Sequence, residues 1–230
     1  MDRSEGRFGS PRAHFRLTDS TNARARELAG RGAPHGTVVT ATEQSAGRGR
    51  QGRTWSAPAG RALLCSIVIR DPPRLLPLVA GVAVAEVVGP AAQIKWPNDL
   101  LVDGRKVAGI LVESRPQERW AVVGIGINVA VAPDSLPPEV RDRAGTLGLD
   151  PSAIEPTLAA LLLSLERWLE GGAERVLEAV RARDALLGRS VRWGGGRGVG
   201  AGIDGDGRLV VRTDAGPVAL DAGEVHLGGA

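Results

Sequence analysis

Cysteine occurs once, at Cys65, so the chain can form no internal disulfide and no metal site built from several thiolates. Tyrosine is missing and aromatic residues make up 3% of the chain, so the core has to come from Ala, Val, Leu and Ile. Hydrophobic residues reach 43%, enough for one or two packed domains in 230 residues. The histidines His14, His35 and His226 are scattered, and neither H-E-x-x-H nor a G-x-S-x-G nucleophile elbow occurs. Long apolar runs are also missing. The strongest, LAALLLSL at 158–165, is too short to cross a bilayer and runs into Glu166 and Arg167. The opening stretch MDRSEGRFGSPRAHF has no apolar segment of the kind a secretory leader carries. These absences predict a cytoplasmic protein with no membrane association.

The most informative shortage is lysine. Of 29 basic residues, only Lys95 and Lys106 are lysines. In a chain so biased, a position that tolerates a guanidinium would have become arginine. Unless their survival is chance, the two mark places that need a compact ammonium on a flexible stem. The net charge of +3 and the pI near 9.9 point weakly to an anionic partner. The arginines are dispersed among acidic residues, which argues against nucleic acid as the main partner.

Residues 1–13 read as a loose arm. Asp19-Ser20 can open a helix from Thr21 to Gly30. TVVTATE (37–43) and RALLCSIVI (61–69) read as strands, and LLPLVAGVAVAEVVG (75–89) as a helix buried all round. AQIKW (92–96), DLLVDG (99–104), KVAGILVES (106–114) and RWAVVGIGINV (119–129) read as further strands, with Asp103-Gly104 as a hairpin turn. Residues 132–155 are Pro-rich and irregular. Residues 156–186 show helical periodicity in two pieces divided at Gly171-Gly172. Beyond Gly188, short β-like runs alternate with glycine and Asp-Gly turns, the pattern of a small β-barrel. The expected fold is α+β, a mixed β-sheet with flanking helices in residues 1–186, followed by a small barrel in 187–230.

AGRGRQGRTW (46–55) contains G-x-G-x-x-G. A dinucleotide fold needs a helix to open at the last glycine, yet Gly52 is followed by RTWSAPAG, which cannot start one well. A Walker A loop needs Gly-Lys-Ser/Thr, and neither lysine lies in that context. What is left is a glycine loop whose backbone can approach an anion, with the planar forks of Arg48, Arg50 and Arg53. Taken alone, it could be a solvated surface loop. IKWPNDLLVDGRKVAGILVE (94–113) holds both lysines, Asn98 and Asp99. Pro97 stiffens the bend that carries them. A carboxylate beside two cations is a common way to hold a Mg²⁺–triphosphate. Asp99 alone could be a turn residue and Lys95 a surface position, but their packing into one block with Lys106 makes joint accident a poor account. In GIGIN (124–128), Gly124 and Gly126 leave room beside a strand, and Asn128 offers a donor and an acceptor.

With these blocks in this order, together with DSTN at 19–22, the sequence resembles the biotin protein ligases over residues 16–228. The resemblance implies a catalytic domain of the class II aminoacyl-tRNA synthetase-like kind and an SH3-like C-terminal barrel. It implies ATP and Mg²⁺, with biotin as the acid that is activated to biotinoyl-5′-AMP. It implies a biotin carboxyl carrier domain of a carboxylase as acceptor. Ser20, Thr21, Asn22, Gln44, Arg48, Gly49, Arg50, Lys106 and Gly109 would bind biotin. Arg50, Arg53, Trp55, Lys95, Asn98 and Asn128 would bind ATP or the adenylate, and Asp99 the metal. Arg48, Arg50 and Lys106 would carry the chemistry. Some members carry an N-terminal winged helix-turn-helix. Only about 18 residues precede DSTN here, too few for that domain, so no DNA binding is expected. Gln51 stands where many relatives have arginine. Oligomeric state, monomer or homodimer, is not legible.

Two alternatives remain. A lipoate or octanoate ligase shares the catalytic fold and would differ in the acid it prefers. An arginine-rich nucleic-acid module would bind with steep salt dependence and turn over no ATP. The lysine argument has a direct test. Lys106→Arg is expected to lower adenylate formation about 10²–10³-fold with the fold intact by circular dichroism. Full activity in that variant would show that a compact ammonium is not required.

Overall fold

The computed structural model describes residues 8–221 and 223–228. Its main body is a seven-stranded sheet in the order β1-β2-β3-β7-β6-β5-β4. The strands are β1 (Arg12–Thr18), β2 (Val38–Gln44), β3 (Leu63–Arg70), β4 (Gln93–Lys95), β5 (Asp99–Val102), β6 (Arg105–Arg115) and β7 (Trp120–Ile127). β1 runs parallel to β2 and every other pairing is antiparallel, so the sheet is mixed as expected. The expected loose arm needs correction. Arg12 and Ala13 belong to β1, an edge strand whose alternation is weak because most of its side chains are partly or fully exposed. The rest of that expectation, residues 1–7, lies outside the described residues. At the β5–β6 turn Asp103 and Gly104 both take positive φ, 50° and 74°, as a two-residue hairpin turn requires.

The two faces of the sheet are covered unequally, and that makes the site. On β3, Leu63, Cys65, Ile67 and Ile69 point into the large core, as do Ala121, Val123, Ile125 and Ile127 on β7. Against that face pack α2 (Leu76–Val88), the short α3 (Pro138–Arg141) lying aside, then α4 (Ile154–Leu169) and α5 (Ala173–Arg181). α2 is apolar all round because the sheet lies on one side and α4 and α5 on the other. α4 buries Thr157, Leu158, Leu161, Ser164 and Leu165, one stripe at helical spacing. On the opposite face α1 (Thr21–Gly30) covers Val39, Val68 and Val122 through Ala25 and Ala29, and Val131, Leu136 and Ala144 cover Leu64. Between these two coverings, past the N-terminus of α1, no helix among the described residues lies on the sheet. Asp19 steadies that terminus: its carboxylate accepts from Ser20 N at 2.7 Å and pairs with Arg24 at 2.8 Å, which holds its carboxyl at about 2.

The C-terminal strands are β8 (Ser190–Trp193), β9 (Gly196–Ile203), β10 (Leu209–Thr213), β11 (Gly216–Leu220) and β12 (His226–Leu227), an antiparallel sheet in the order β11-β10-β9-β8-β12. Among the described residues no ladder joins β11 to β12, and no closed barrel is found in these pairings. Val191, Ile203, Leu209, Val211 and Val225 share the large core with α2. Trp96 Nε1 donates to Gly207 O at 3.0 Å, and Arg181 Nε to Ile203 O at 2.8 Å.

A polar cross-link joins α2 to α4. Glu86 accepts from Ser164 Oγ at 2.5 Å, Trp168 Nε1 at 2.9 Å and Arg167 Nη2 at 2.7 Å. Burial raises the Glu86 carboxyl, but these donors outweigh it and hold it at about 2. The contribution to stability is complete above the ordinary value of 4.5 and is lost as pH falls through about 2. Glu86→Gln is expected to cost about 1 kcal/mol at neutral pH, discounted for exposure. Urea unfolding should show the gap between variant and parent narrowing towards pH 2.

Candidate active site

This part of the sheet is the floor of a cleft of about 910 Å³, counting its open mouth. Two rows of cross-strand neighbours make the floor. One row runs Lys95–Asp99–Gly109–Gly126–Leu64 across β4, β5, β6, β7 and β3. The next runs Leu111–Gly124–Ser66 across β6, β7 and β3. Glycine is required at the centre of each row because another group lies directly on the backbone. A Cβ on Gly124 would overlap the Asn22 carboxamide, and one on Gly126 would stand 2.5 Å from the Trp55 ring. A Cβ on Gly109 would also meet that ring, at 2.9 Å.

At one end lies a closed set of hydrogen bonds. Gln44 Oε1 accepts from Thr21 N at 2.7 Å and Thr21 Oγ1 at 3.1 Å. Ser66 Oγ lies 2.6 Å from Asn22 Oδ1 and 2.8 Å from Thr21 Oγ1. Its single hydrogen goes to Asn22, which leaves Thr21 as donor to Gln44 or Ser66. Asn22 Nδ2 donates to Glu113 Oε2 at 2.9 Å and Leu111 O at 3.3 Å. Ser20, Thr21 and Asn22 are buried with polar groups facing the cleft wall.

At the other end the cations gather. Lys106 Nζ lies 2.6 Å from Asp99 Oδ1 and 5.5 Å from the Trp55 ring centroid, and Lys95 Nζ lies 3.9 Å from Asp99 Oδ2. Burial pulls the Lys95 ammonium below its usual range; Asp99 opposes this, and Lys106, Arg53 and Arg143 add to it. Burial likewise lowers the Arg50 guanidinium, with Asp99 opposing.

The glycine–arginine loop closes the cleft. A 3-10 turn over Arg50–Gly52 sets Gln51 at φ 54°, and Arg48 bridges Thr54. Each arginine rests on a different wall. Arg48 Nη1 lies 3.4 Å from Glu113 Oε1, Arg50 Nη1 donates to Asn98 Oδ1 at 3.2 Å, and Arg53 pairs with Glu224, on the segment that leads into β12. Gly49 lies on the same loop and lines the cleft.

Asn128 stands apart from the other predicted site residues. It is buried behind the floor, with Nδ2 donating to Gly145 O at 2.8 Å, and does not line the cleft. Sequence reasoning missed the lining segment Gly223–Val225, and also Ser66 and Glu113, which do not line the cleft but hold Thr21, Asn22 and Arg48 from behind it. Ser66 had a signal, a hydroxyl on the second face of the apolar strand LLCSIVIR; Glu113 ends the apolar run of β6. Glu224 had none, since only the packing of the second sheet brings it near. Among the described residues no cluster of three or more His, Cys, Asp or Glu could hold a metal unaided, and no helix is long and apolar enough to cross a membrane.

The model of the Biotin/lipoate A/B protein ligase family matches residues 14–129, and that of the Biotin protein ligase C terminal domain matches 180–228. The biotin–[acetyl-CoA-carboxylase] ligase of Paracoccus denitrificans is 39% identical over 92% of this chain and 98% of its own. The chain belongs to the biotin protein ligase family. It is therefore an enzyme of the ligase class. The biotin–[acetyl-CoA-carboxylase] ligase of Mycobacterium tuberculosis is 36% identical over 91% of this chain and 86% of its own. A biotin protein ligase from Aquifex aeolicus, solved with biotin and ATP, superposes with a TM-score of 0.80 at 27% identity, covering 94% of this chain and 99% of that one.

In this biotin protein ligase the Trp55 ring fills the space that Gly126 leaves. Gly126→Ala is expected to displace the ring and lower stability by about 1–3 kcal/mol in urea unfolding. With Trp55→Ala also present the added cost of the alanine should largely vanish. Simple additivity of the two changes would mean that the ring does not depend on Gly126.

Proposed function

We propose that the cleft joins biotin to ATP and then delivers the biotinoyl group to a lysine of a biotin carboxyl carrier domain. The observation that carries this reading is the division of one cleft into two chemistries. A neutral hydrogen-bonding end built on Thr21, Asn22, Gln44 and Ser66 faces a cationic end built on Arg50, Lys95 and Lys106. Ser20, Thr21, Asn22 and Gln44 would receive the ureido ring, and the biotin carboxylate would reach Lys106, with Gly109 leaving it room. Lys95, Asn98 and Arg53 would take the phosphates, and Trp55 would pack on the adenosine. Asn128, behind the floor, would support the nucleotide through the Gly145 loop, not by direct contact.

In the first step a biotin carboxylate oxygen attacks the α-phosphorus, a P–O bond forms, and the bond to pyrophosphate breaks. The chain supplies no covalent intermediate. Lys106, Arg48 and Arg50 reduce the repulsion between two anions and hold them in line. A Mg²⁺ ion arriving with the triphosphate would supply charge neutralisation on the phosphate oxygens. One carboxylate, Asp99, fits such an ion, which keeps waters and phosphates as its other ligands. In the second step the acceptor amine attacks the acyl carbon, the bond to the phosphate oxygen breaks, and AMP leaves. The closed loop keeps water from the mixed anhydride meanwhile.

The division into a catalytic part, 1–186, and a C-terminal part, 187–230, belongs to this reading, as does an SH3-like form for the latter. Its contribution would be Glu224 against Arg53 at the cleft rim. A cytoplasmic setting, where ATP is abundant, agrees with it. The test is pyrophosphate release from MgATP with biotin, and separately with lipoate or octanoate, without acceptor. Biotin-dependent release is expected. Release with lipoate or octanoate alone would move the substrate, and no release from folded protein with any acid would overturn the reading.

A further inference from the structure

Glu113 lies in the row Val68–Val122–Glu113, one step beyond the floor of the cleft, with its side chain 22% exposed. Its two oxygens serve different parts of the molecule. Oε2 accepts from Asn22 Nδ2 at 2.9 Å. Oε1 accepts from Arg26 Nη1 at 3.0 Å and faces Arg48 Nη1 at 3.4 Å. Asn22 is already held on its carbonyl side by Ser66, so its amide has one orientation: oxygen to Ser66, nitrogen to Glu113. Arg48 belongs to the glycine–arginine loop and is half exposed, so its position depends on what it can lean on.

We propose that Glu113 is a positioning residue that bridges the neutral end of the cleft to the glycine–arginine loop. The bridge needs a carboxylate, because a carboxylate offers an acceptor oxygen on both sides at once. Glutamine at this place offers one. With its carbonyl towards Asn22, its NH₂ faces two guanidinium groups; reversed, its NH₂ meets the NH₂ of Asn22. Either way one side of the bridge opens. The consequence for biotin affinity rests on the proposed function; the bridge itself does not.

The experiment is limited trypsin digestion of the folded full chain, with cleavage after Arg48, Arg50 and Arg53 followed by mass spectrometry. Glu113→Gln should speed cleavage in the loop about threefold, the loss of one half-exposed ion pair, with other sites unchanged. In the pyrophosphate assay the same variant should raise the half-saturating biotin concentration about tenfold, through loss of a charge-assisted hydrogen bond, and also lower kcat, because Arg48 loses its support. Arg26→Gln removes the third partner of Glu113 without touching the loop, and should leave loop cleavage at the parent rate. Glu113→Asp keeps the charge but shortens the reach, and should loosen the loop as well; it decides the question if the glutamine variant fails to fold. Loop cleavage at the parent rate in the Glu113 variants would overturn the bridge. Equal acceleration in Arg26→Gln would also overturn it, because the carboxylate would then serve only the packing of α1 on β6. If the parent protein releases no pyrophosphate with biotin, the proposed function fails, while the trypsin comparison still decides the bridge.

Discussion

The structure depends on a missing Cβ at the centre of two neighbouring rows of one sheet. β7 alternates large side chains on the core face with Val122, Gly124 and Gly126 on the other. Where valine stands, α1 covers the sheet. Where glycine stands, Asn22 and Trp55 come down onto the backbone. The same strand thus holds the core with one face and opens the cleft with the other. Period-two alternation allows this, since each residue serves only one face.

Charge is arranged around that opening with little waste. The cationic end brings Lys95, Lys106 and Arg50 to one carboxylate, Asp99. Like charges so close repel, and burial penalises Lys95 and Arg50. Asp99 offsets part of that cost, and an anionic ligand would offset more. The remaining loop arginines, Arg48 and Arg53, rest on Glu113 and Glu224. Glu113 lies on β6 and Glu224 on the segment before β12, so the loop reaches from the main body to the C-terminal part.

Much of this was legible in the chain. Continuous apolar character marked β3, β7 and α2, because burial leaves a strong compositional trace. The glycine–arginine loop and the lysine block were legible because glycine, arginine and lysine are not interchangeable at an anion site. β1 was not, because an edge strand with exposed side chains carries little pattern. Asn128 reads as a site residue beside GIGI, yet its side chain turns away to Gly145. Residue type alone cannot say on which side of a strand end an amide points.

The sequence by itself determined most of the elements and the residue types able to manage carboxylate and phosphate. These follow from local sterics and from hydrophobic periodicity, which each segment carries within itself. Only the tertiary structure decided which distant groups meet. Lys95, Asp99, Gly109, Gly126 and Leu64 form one row because four strand pairings fall in register. Ser66, Asn22 and Glu113 touch because α1 lies over that register, and Glu224 reaches Arg53 because a second sheet shares the core of the first. Register and packing are properties of pairs of segments, and no single segment encodes them.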